Sequence, residues 1–411
     1  MWRPFKPSGE IVEMNPSEIR LRTTLYFGPG AVGRMEDILG RYRRRGARRV
    51  GIVTGTKSHI LSGAWDRVEE ALEKNDMEFE LSSGVPPNPT VDVIEEAVEL
   101  FKSFGPEVIV GIGGGSPIDA SKAAGALLKS EGKSALDLYT YRFHPKEALP
   151  IVAVNLTHGT GTEVDRYAVA TIPEKRVKLG AASDAMYPEF AVDDPELTLS
   201  LPEKQSLYVT LDAVNHAVEA ATTTVTSRFT EMLSRECLGV VADHLPRLKD
   251  HLKDVEVRGA LMHASMVAGV AIDNSRAHIT HLLEHALSAL KPEVPHGLGL
   301  AILLPAVLKE IYPARAEVLS QLLRPIVPGL KGREEEAEAV AREVERWTFS
   351  VGVEEKLSDI GIGEEDVGEL VEIAFSSPAL KGTEKLSPVG LTREMARRIY
   401  ENSLYPLSGG L

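Results

Sequence analysis

With 411 residues, 43% of them hydrophobic and 26% charged, the chain has the composition of an ordinary soluble globular protein and exceeds the length that one core usually supports, so two domains are expected. Its formal net charge of −14 sets nucleic acid and anionic membrane against net repulsion, which only a local basic patch would override. The single cysteine, Cys237, excludes an internal disulfide and fits a reducing compartment.

In chain order, the N-terminal Met1-Trp2-Arg3-Pro4-Phe5-Lys6 has no apolar stretch behind its charges, and no run approaches the ~20 apolar residues of a membrane span. A cytoplasmic, soluble protein is therefore expected. The one basic patch, Arg41, Arg43, Arg44, Arg45, Arg48 and Arg49, lacks interleaved aromatics and falls at the end of an expected helix, where cations suit the helix dipole. It reads as a solvated helix end.

From about residue 48, short apolar runs alternate with amphipathic stretches. Strands are predicted at Val50–Val53, Glu78–Leu81 and Val108–Ile112, and helices at Ala64–Glu73, Val91–Phe104 and Ile118–Leu128. This alternation predicts a parallel, doubly wound α/β sheet of the Rossmann type. Ile151–Val154 and Phe190–Val192 add further strands, after which only helical periodicity remains. The predicted organisation is an α/β domain over residues 1–203 and an all-helical domain over 204–411. The Pro-rich Val85–Pro89 reads as a loop at the sheet edge.

Two groups of residues carry chemistry. Gly111-Ile112-Gly113-Gly114-Gly115-Ser116-Pro117-Ile118-Asp119 joins a predicted strand to a predicted helix, with Ser116 suited to the N-cap, Pro117 to the first helical position and Asp119 to a capping interaction. Exposed amides and the helix dipole there suit a pyrophosphate. It is not a Gly-x-Gly-x-x-Gly fingerprint, since Ser116 replaces the third glycine, and a glycine cluster alone is more often a tight turn, but the strand-turn-helix placement favours the phosphate reading. The second group is Asp212 and His216, four apart on one helix face, followed by His281, His285 and His296 among apolar residues. Buried histidines are often structural hydrogen-bonders. A carboxylate with three imidazoles in one helical domain nevertheless suits Fe²⁺, Zn²⁺ or Mn²⁺.

These motifs, with Phe27-Gly28-Pro29-Gly30, Asn88-Pro89-Thr90, Gly159-Thr160-Gly161-Thr162-Glu163, Asp193-Asp194-Pro195, Asn274 and Pro295-His296-Gly297, stand in the order seen in iron-containing alcohol dehydrogenases, a family related to glycerol dehydrogenase and dehydroquinate synthase. The sequence resembles that family over nearly its whole length. The resemblance implies that Asp212, His216, His281 and His296 bind the metal, iron or another divalent ion such as zinc, with His285 lining the site as a proton relay or ribose contact. It implies that Asn88, Gly114, Gly115, Ser116, Asp119, Thr157, Thr160 and Lys178 contact the dinucleotide. It further implies hydride transfer between that dinucleotide and an alcohol, aldehyde or ketone bound at the metal, in a homo-oligomer, dimer or larger, joined through the N-terminal domain. His158 stands where the family usually has a small residue, Ser275–His278 replaces a glycine-rich stretch, and one residue is inserted between His285 and His296.

In dinucleotide folds an acidic residue after the second strand binds the ribose of NAD and repels the 2′-phosphate of NADP. Here Gly55 stands at that turn, followed by the donors Thr56, Lys57 and Ser58, so NADP is expected, with NAD as the alternative if Gly55 only makes the turn. Two rival readings use the same residues. His281-Leu282-Leu283-Glu284-His285 matches the His-x-x-Glu-His pattern of inverted zinc proteases, with Glu284 as general base. A Glu284→Gln exchange should spare a dehydrogenase and inactivate a protease. A polyol enzyme like glycerol dehydrogenase shares the fold.

Overall fold

The computed structural model describes residues 18–407, so the reading of Met1–Lys6 lies outside the described residues. Its strands are β1 (Thr24–Phe27), β2 (Arg49–Thr54), β3 (Glu78–Ser82), β4 (Val108–Gly113), β5 (Ile151–Asn155), β6 (Tyr167–Ile172), β7 (Val177–Ala182) and β8 (Phe190–Asp193). Six of them form one sheet in the order β1-β8-β5-β4-β2-β3, with every neighbouring pair parallel. The chain runs outward from β2 to β3 and then returns to lay β4 on the other side of β2. Direction therefore reverses between β2 and β4, and a crevice opens beyond their carboxyl ends, where doubly wound sheets bind ligands.

Side-chain alternation builds the layers. Val50, Ile52, Val108, Val110 and Ile112 share one core with Ile38, Leu39, Val68 and Leu72 of the helices Met35–Arg44 and Ala64–Lys74. Val53 and Ile109 face the other way, onto Ile94, Val98, Ala120 and Leu127 of Val91–Phe104 and Gly115–Leu128. The sheet is doubly wound as expected, because period-2 apolar runs can bury both faces only under helices on both sides. Three strands went unpredicted. β1 is a short, half-exposed edge strand, and β6 and β7 form an antiparallel pair rich in alanine, a weak strand former. Arg41, Arg43, Arg44 and Arg45 do end the Met35–Arg44 helix, whereas Arg48 and Arg49 lead into β2, and part of the patch is paired: Arg43 and Arg48 with Asp76, Arg45 with Glu189.

From Glu203 onward the described chain is helical, around one core that includes Leu211, Val218, Leu238, Leu261, Leu283, Leu303, Tyr312 and Ile399. Two of its helices correct the expectation that nothing approaches a membrane span. Val255–Asp273 and His296–Leu322 are long and apolar enough by composition, with mean hydropathies of 1.3 and 1.4 over their richest windows. Those windows are 61% and 78% buried by the rest of the fold, and a helix enclosed on most sides is apolar all round for that reason.

Glycines let the two parts of the chain meet at backbone distance. A Cβ on Gly159 would lie 2.4 Å from the Val209 carbonyl oxygen, and one on Gly161 would lie 2.5 Å from the Cα of Gly269. Both glycines belong to the loop after β5, and both partners belong to helices of the C-terminal part. Above them, His158 accepts a hydrogen bond at Nε2 from the fully buried Arg258, 2.9 Å away. Arginine only donates, so the proton of this imidazole sits on Nδ1 and is given to Thr210 Oγ1 at 2.9 Å. The departure from a small residue at 158 is thus a clasp between the two halves.

Candidate active site

The glycine-rich turn closes β4 at the switch crevice. The helix begins at Gly115 with Gly114 as its N-cap, which corrects the placement of Ser116 as cap: Ser116 and Pro117 lie within the first turn. The reason is steric. A Cβ on Gly114 would come within 2.7 Å of Thr157 Cγ2, and one on Gly115 within 2.7 Å of Thr160 Cγ2, so the turn tightens two residues earlier than a side-chain cap requires. Asp119 is not a cap either. Its carboxylate accepts from Thr162 Oγ1 at 2.6 Å and from the Val169 amide at 2.9 Å, underneath the turn.

Gly114, Gly115, Ser116, Thr157 and Thr160 are half-exposed among buried neighbours and line one side of the crevice. The amides of Gly115 and Ser116 belong to the first helical turn, where no intrahelical acceptor exists. Across the crevice, Gly55 follows β2, its hypothetical Cβ 3.7 Å from Pro117 Cγ, with Thr56 and Lys57 exposed beside it. Asn88 and Lys178 are brought together elsewhere. Lys178, on β7, donates to Asn88 Oδ1 at 2.9 Å, and Asn88 donates to the Pro292 carbonyl at 3.0 Å, so both reach the helical part.

There the histidines converge. Asp212 and His216 lie on Glu203–Thr222, His281 on Ile279–Leu290, and His296 opens His296–Leu322. Asp212, His216 and His281 each offer a ligand atom within 4.8 Å of the others. Asp212 Oδ1 lies 3.5 Å from His216 Nε2 and 3.7 Å from His281 Nε2, and the two imidazoles stack with ring centres 4.8 Å apart. Asp212 Oδ1 and His281 Nε2 are buried without a hydrogen-bond partner. Burial alone would raise the Asp212 pKa, yet the surrounding imidazoles hold its carboxyl well below the usual carboxylate range. Burial drops His216 to about 4. Burial also opposes a charge on His281, but Glu219 and Asp212 outweigh it and lift that imidazole to about 10. A carboxylate and two imidazole nitrogens facing one another within ligand reach are a donor set that fits a divalent cation, which would take the place of the His281 proton.

His296 stands at the edge of this group, its ring centre 5.5 Å from that of His281, and its Nδ1 lies against Glu284 Oε2. Its position is set by Gly297, where a Cβ would lie 2.0 Å from the Tyr208 carbonyl oxygen. His285, one turn beyond His281, is half-buried, with its ring 5.7 Å from that of His296.

The model of iron-containing alcohol dehydrogenases matches residues 22–195, and that of the Fe-containing alcohol dehydrogenase C-terminal region matches residues 206–404. The chain belongs to the iron-containing alcohol dehydrogenase family. Among its relatives is the long-chain primary alcohol dehydrogenase AdhA of Thermoanaerobacter ethanolicus, 47% identical over 95% of this chain and 99% of that one. The NADPH-dependent butanol dehydrogenase of Clostridium saccharobutylicum is 27% identical over 93% of this chain and 96% of its own. In structure the chain is similar to the NADH-dependent butanol dehydrogenase A of Thermotoga maritima, at a TM-score of 0.87 and 28% identity over 95% of this chain and 99% of that one.

Two carboxylates of this dehydrogenase site escaped the sequence analysis in their actual roles. Glu219, fully buried, bonds His281 Nδ1 through one oxygen and accepts from the Thr280 amide at 2.7 Å through the other. A carboxylate behind a metal-binding imidazole fixes its orientation and tautomer. The signal was present, since Asp212, His216 and Glu219 are spaced i, i+4, i+7 on an otherwise apolar helix face. Glu284 is the second. Its Oε2 meets His296 and Lys178, its Oε1 accepts from Ser288 Oγ, and it is fully buried. Neither oxygen is free to activate a water as a protease would require.

Proposed function

We propose that this protein is an NADP(H)-dependent dehydrogenase interconverting primary alcohols and aldehydes, with a divalent cation, iron in the first instance and zinc in the second, held by Asp212, His216, His281 and His296. The observation that carries the reading is the pair of buried, unpartnered ligand atoms, Asp212 Oδ1 and His281 Nε2, facing His216. A cation there supplies Lewis acidity toward an alcohol or aldehyde oxygen, and the dinucleotide supplies the hydride acceptor or donor.

The chain's own residues do the rest. The first-turn amides of Gly115 and Ser116 would hold the pyrophosphate of the dinucleotide beside Thr157 and Thr160, with Asp119 and Asn88 supporting the surrounding loops. Gly55 presents no carboxylate to repel a 2′-phosphate, and Thr56 and Lys57 offer donors. The family does not decide this point, since one relative is named for NADPH and another for NADH. Burial and the Lys178 charge push His285 well below the usual imidazole range, so it is neutral and able to take a proton from the substrate side and pass it to solvent. The preference for primary alcohols follows the relative at 47% identity. The functional division is at residue 203, with the dinucleotide before it and the cation after, in a cytoplasmic homo-oligomer.

Metal analysis of the purified protein, followed by kcat/KM for NADPH and NADH with a series of straight-chain aldehydes, tests the proposal. About one divalent ion per chain and a clear advantage for NADPH are expected. A preference for NADH overturns the cofactor assignment, and full activity in metal-free protein overturns the metal.

A further inference from the structure

Glu284, His285 and His296 form a second cluster whose ligand atoms lie within 4.8 Å of one another. By composition it could hold another cation, but that place is already positive. The Lys178 ammonium lies 3.4 Å from Glu284 Oε2, 3.1 Å from His296 Nδ1 and 3.3 Å from Ser288 Oγ. A cation placed there would meet an ammonium group in a buried setting, where like charges repel most strongly.

We infer that Glu284 is a positioning residue: it takes the Nδ1 proton of His296, so that Nε2 and not Nδ1 faces the cation, and Lys178 acts through Glu284 by holding that carboxylate in place. The inference rests on the reading of His296 as a ligand. Its basis is a parallel between two imidazoles. His281 has Nδ1 on the fully buried Glu219 and Nε2 toward Asp212. His296 has Nδ1 on the fully buried Glu284, leaving Nε2 as its remaining ligand atom. The two differ in what stands behind the carboxylate. Glu219 accepts from a main-chain amide of the helix that carries His281, whereas Glu284 is paired with a lysine from β7 of the sheet domain. Lys178 in turn holds Asn88, whose amide grips the Pro292 carbonyl in the loop leading to His296. The orientation of His296 is therefore set jointly by the helical part and by the dinucleotide-binding part. Removing the Glu284 charge loosens the imidazole and also leaves the Lys178 ammonium uncompensated beside a metal ligand. Both effects weaken the cation, so a Glu284→Gln exchange is not silent in this dehydrogenase, contrary to the expectation from sequence.

The test measures zinc affinity of the metal-stripped full-length protein by chelator competition, and the visible spectrum of the cobalt-substituted form. Glu284→Gln is expected to weaken zinc by about 10- to 100-fold and to shift the cobalt bands, while circular dichroism and thermal melting of the metal-free protein stay close to the parent. In a His296→Ala background the same exchange should cost clearly less, since the positioning effect is gone and only the uncompensated Lys178 charge remains. Adding Lys178→Met to Glu284→Gln should restore part of the affinity, which also keeps the test decisive if the single variant folds poorly. An unchanged zinc affinity in Glu284→Gln, or an equal loss in the His296→Ala background, overturns the inference and leaves the ligand reading intact. If His296→Ala alone binds zinc like the parent, the ligand reading itself fails.

Discussion

The two halves of the site are built by opposite means. The crevice proposed for the dinucleotide is made by leaving matter out: a Cβ on Gly114 or Gly115 would meet Thr157 or Thr160, and main-chain amides are left to do the binding in the proposed reading. The pocket proposed for the cation is made by putting charge in: Asp212, Glu219 and Glu284 are buried in the helical part, the last two behind an imidazole each. An anion can be received by fixed dipoles at little burial cost, whereas a cation inside a helix bundle needs carboxylates that are themselves held. The first region should thus be sensitive to volume, and the second to charge and ligand number.

The sharpest separation is expected from His216→Ala. Removing one of the four proposed ligands should weaken metal binding by on the order of 100- to 1,000-fold, one ligand's share of the roughly 10–16 kcal/mol that such sites yield. NADPH binding, followed by fluorescence titration, should stay within about threefold, a bound set by the independence of distant sites. The mirror experiment is Gly115→Val, whose Cβ would sit 2.7 Å from Thr160 Cγ2. Overpacking of about 1–3 kcal/mol should cost about 10- to 100-fold in NADPH affinity while metal content is unchanged. Joint loss of cofactor and metal in either variant would break the division. Introducing charge where the structure has none is a milder probe. Gly55→Asp should lower the NADPH-to-NADH ratio of kcat/KM by about tenfold, from like-charge repulsion of ~1–4 kcal/mol near the 2′-phosphate.

The smallest effect is expected where the regions meet. Burial and the Arg258 charge drop the His158 pKa to about 3, against 6.5 for a free imidazole. Between those values the unfolded chain binds a proton that the native state refuses, so this residue makes stability fall as pH falls from 6.5 toward 3. His158→Gln keeps an acceptor for Arg258 and a donor for Thr210 but cannot titrate. Denaturant melts from pH 7 to 4 should show a shallower acid loss in the variant, and an unchanged slope would remove His158 from the account.

How much of this was legible from sequence followed locality. β2, β4 and the Val91–Phe104 helix declared themselves because a buried sheet flanked by helices forces short apolar runs and amphipathic periods. β1, exposed at the edge, and the alanine-rich β6 and β7 carry no such run. The residues converging at the cation pocket were legible as a motif set, while their partners were not. Glu284 is the instructive case: beside His281 and His285 it spells a local pattern, but its meaning comes from His296 on the next helix and from Lys178, 106 positions earlier. Ser116 failed for a related reason. Its fitness as a cap is local, but the helix start is decided by Thr157 and Thr160 from another loop.

The contact of Gly161 with Gly269 has a consequence for recombination. A Cβ on Gly161 would lie 2.5 Å from its partner's main chain, and one on Gly269 would lie 2.4 Å from the Gly161 carbonyl oxygen. Neither residue has a side chain left to shrink, so a larger residue on one side has no compensating change on the other. Chimeras that join the first half of one family member to the second half of another should therefore fold where both parents carry this pair, and a single alanine at either place should act as a crossing barrier between lineages.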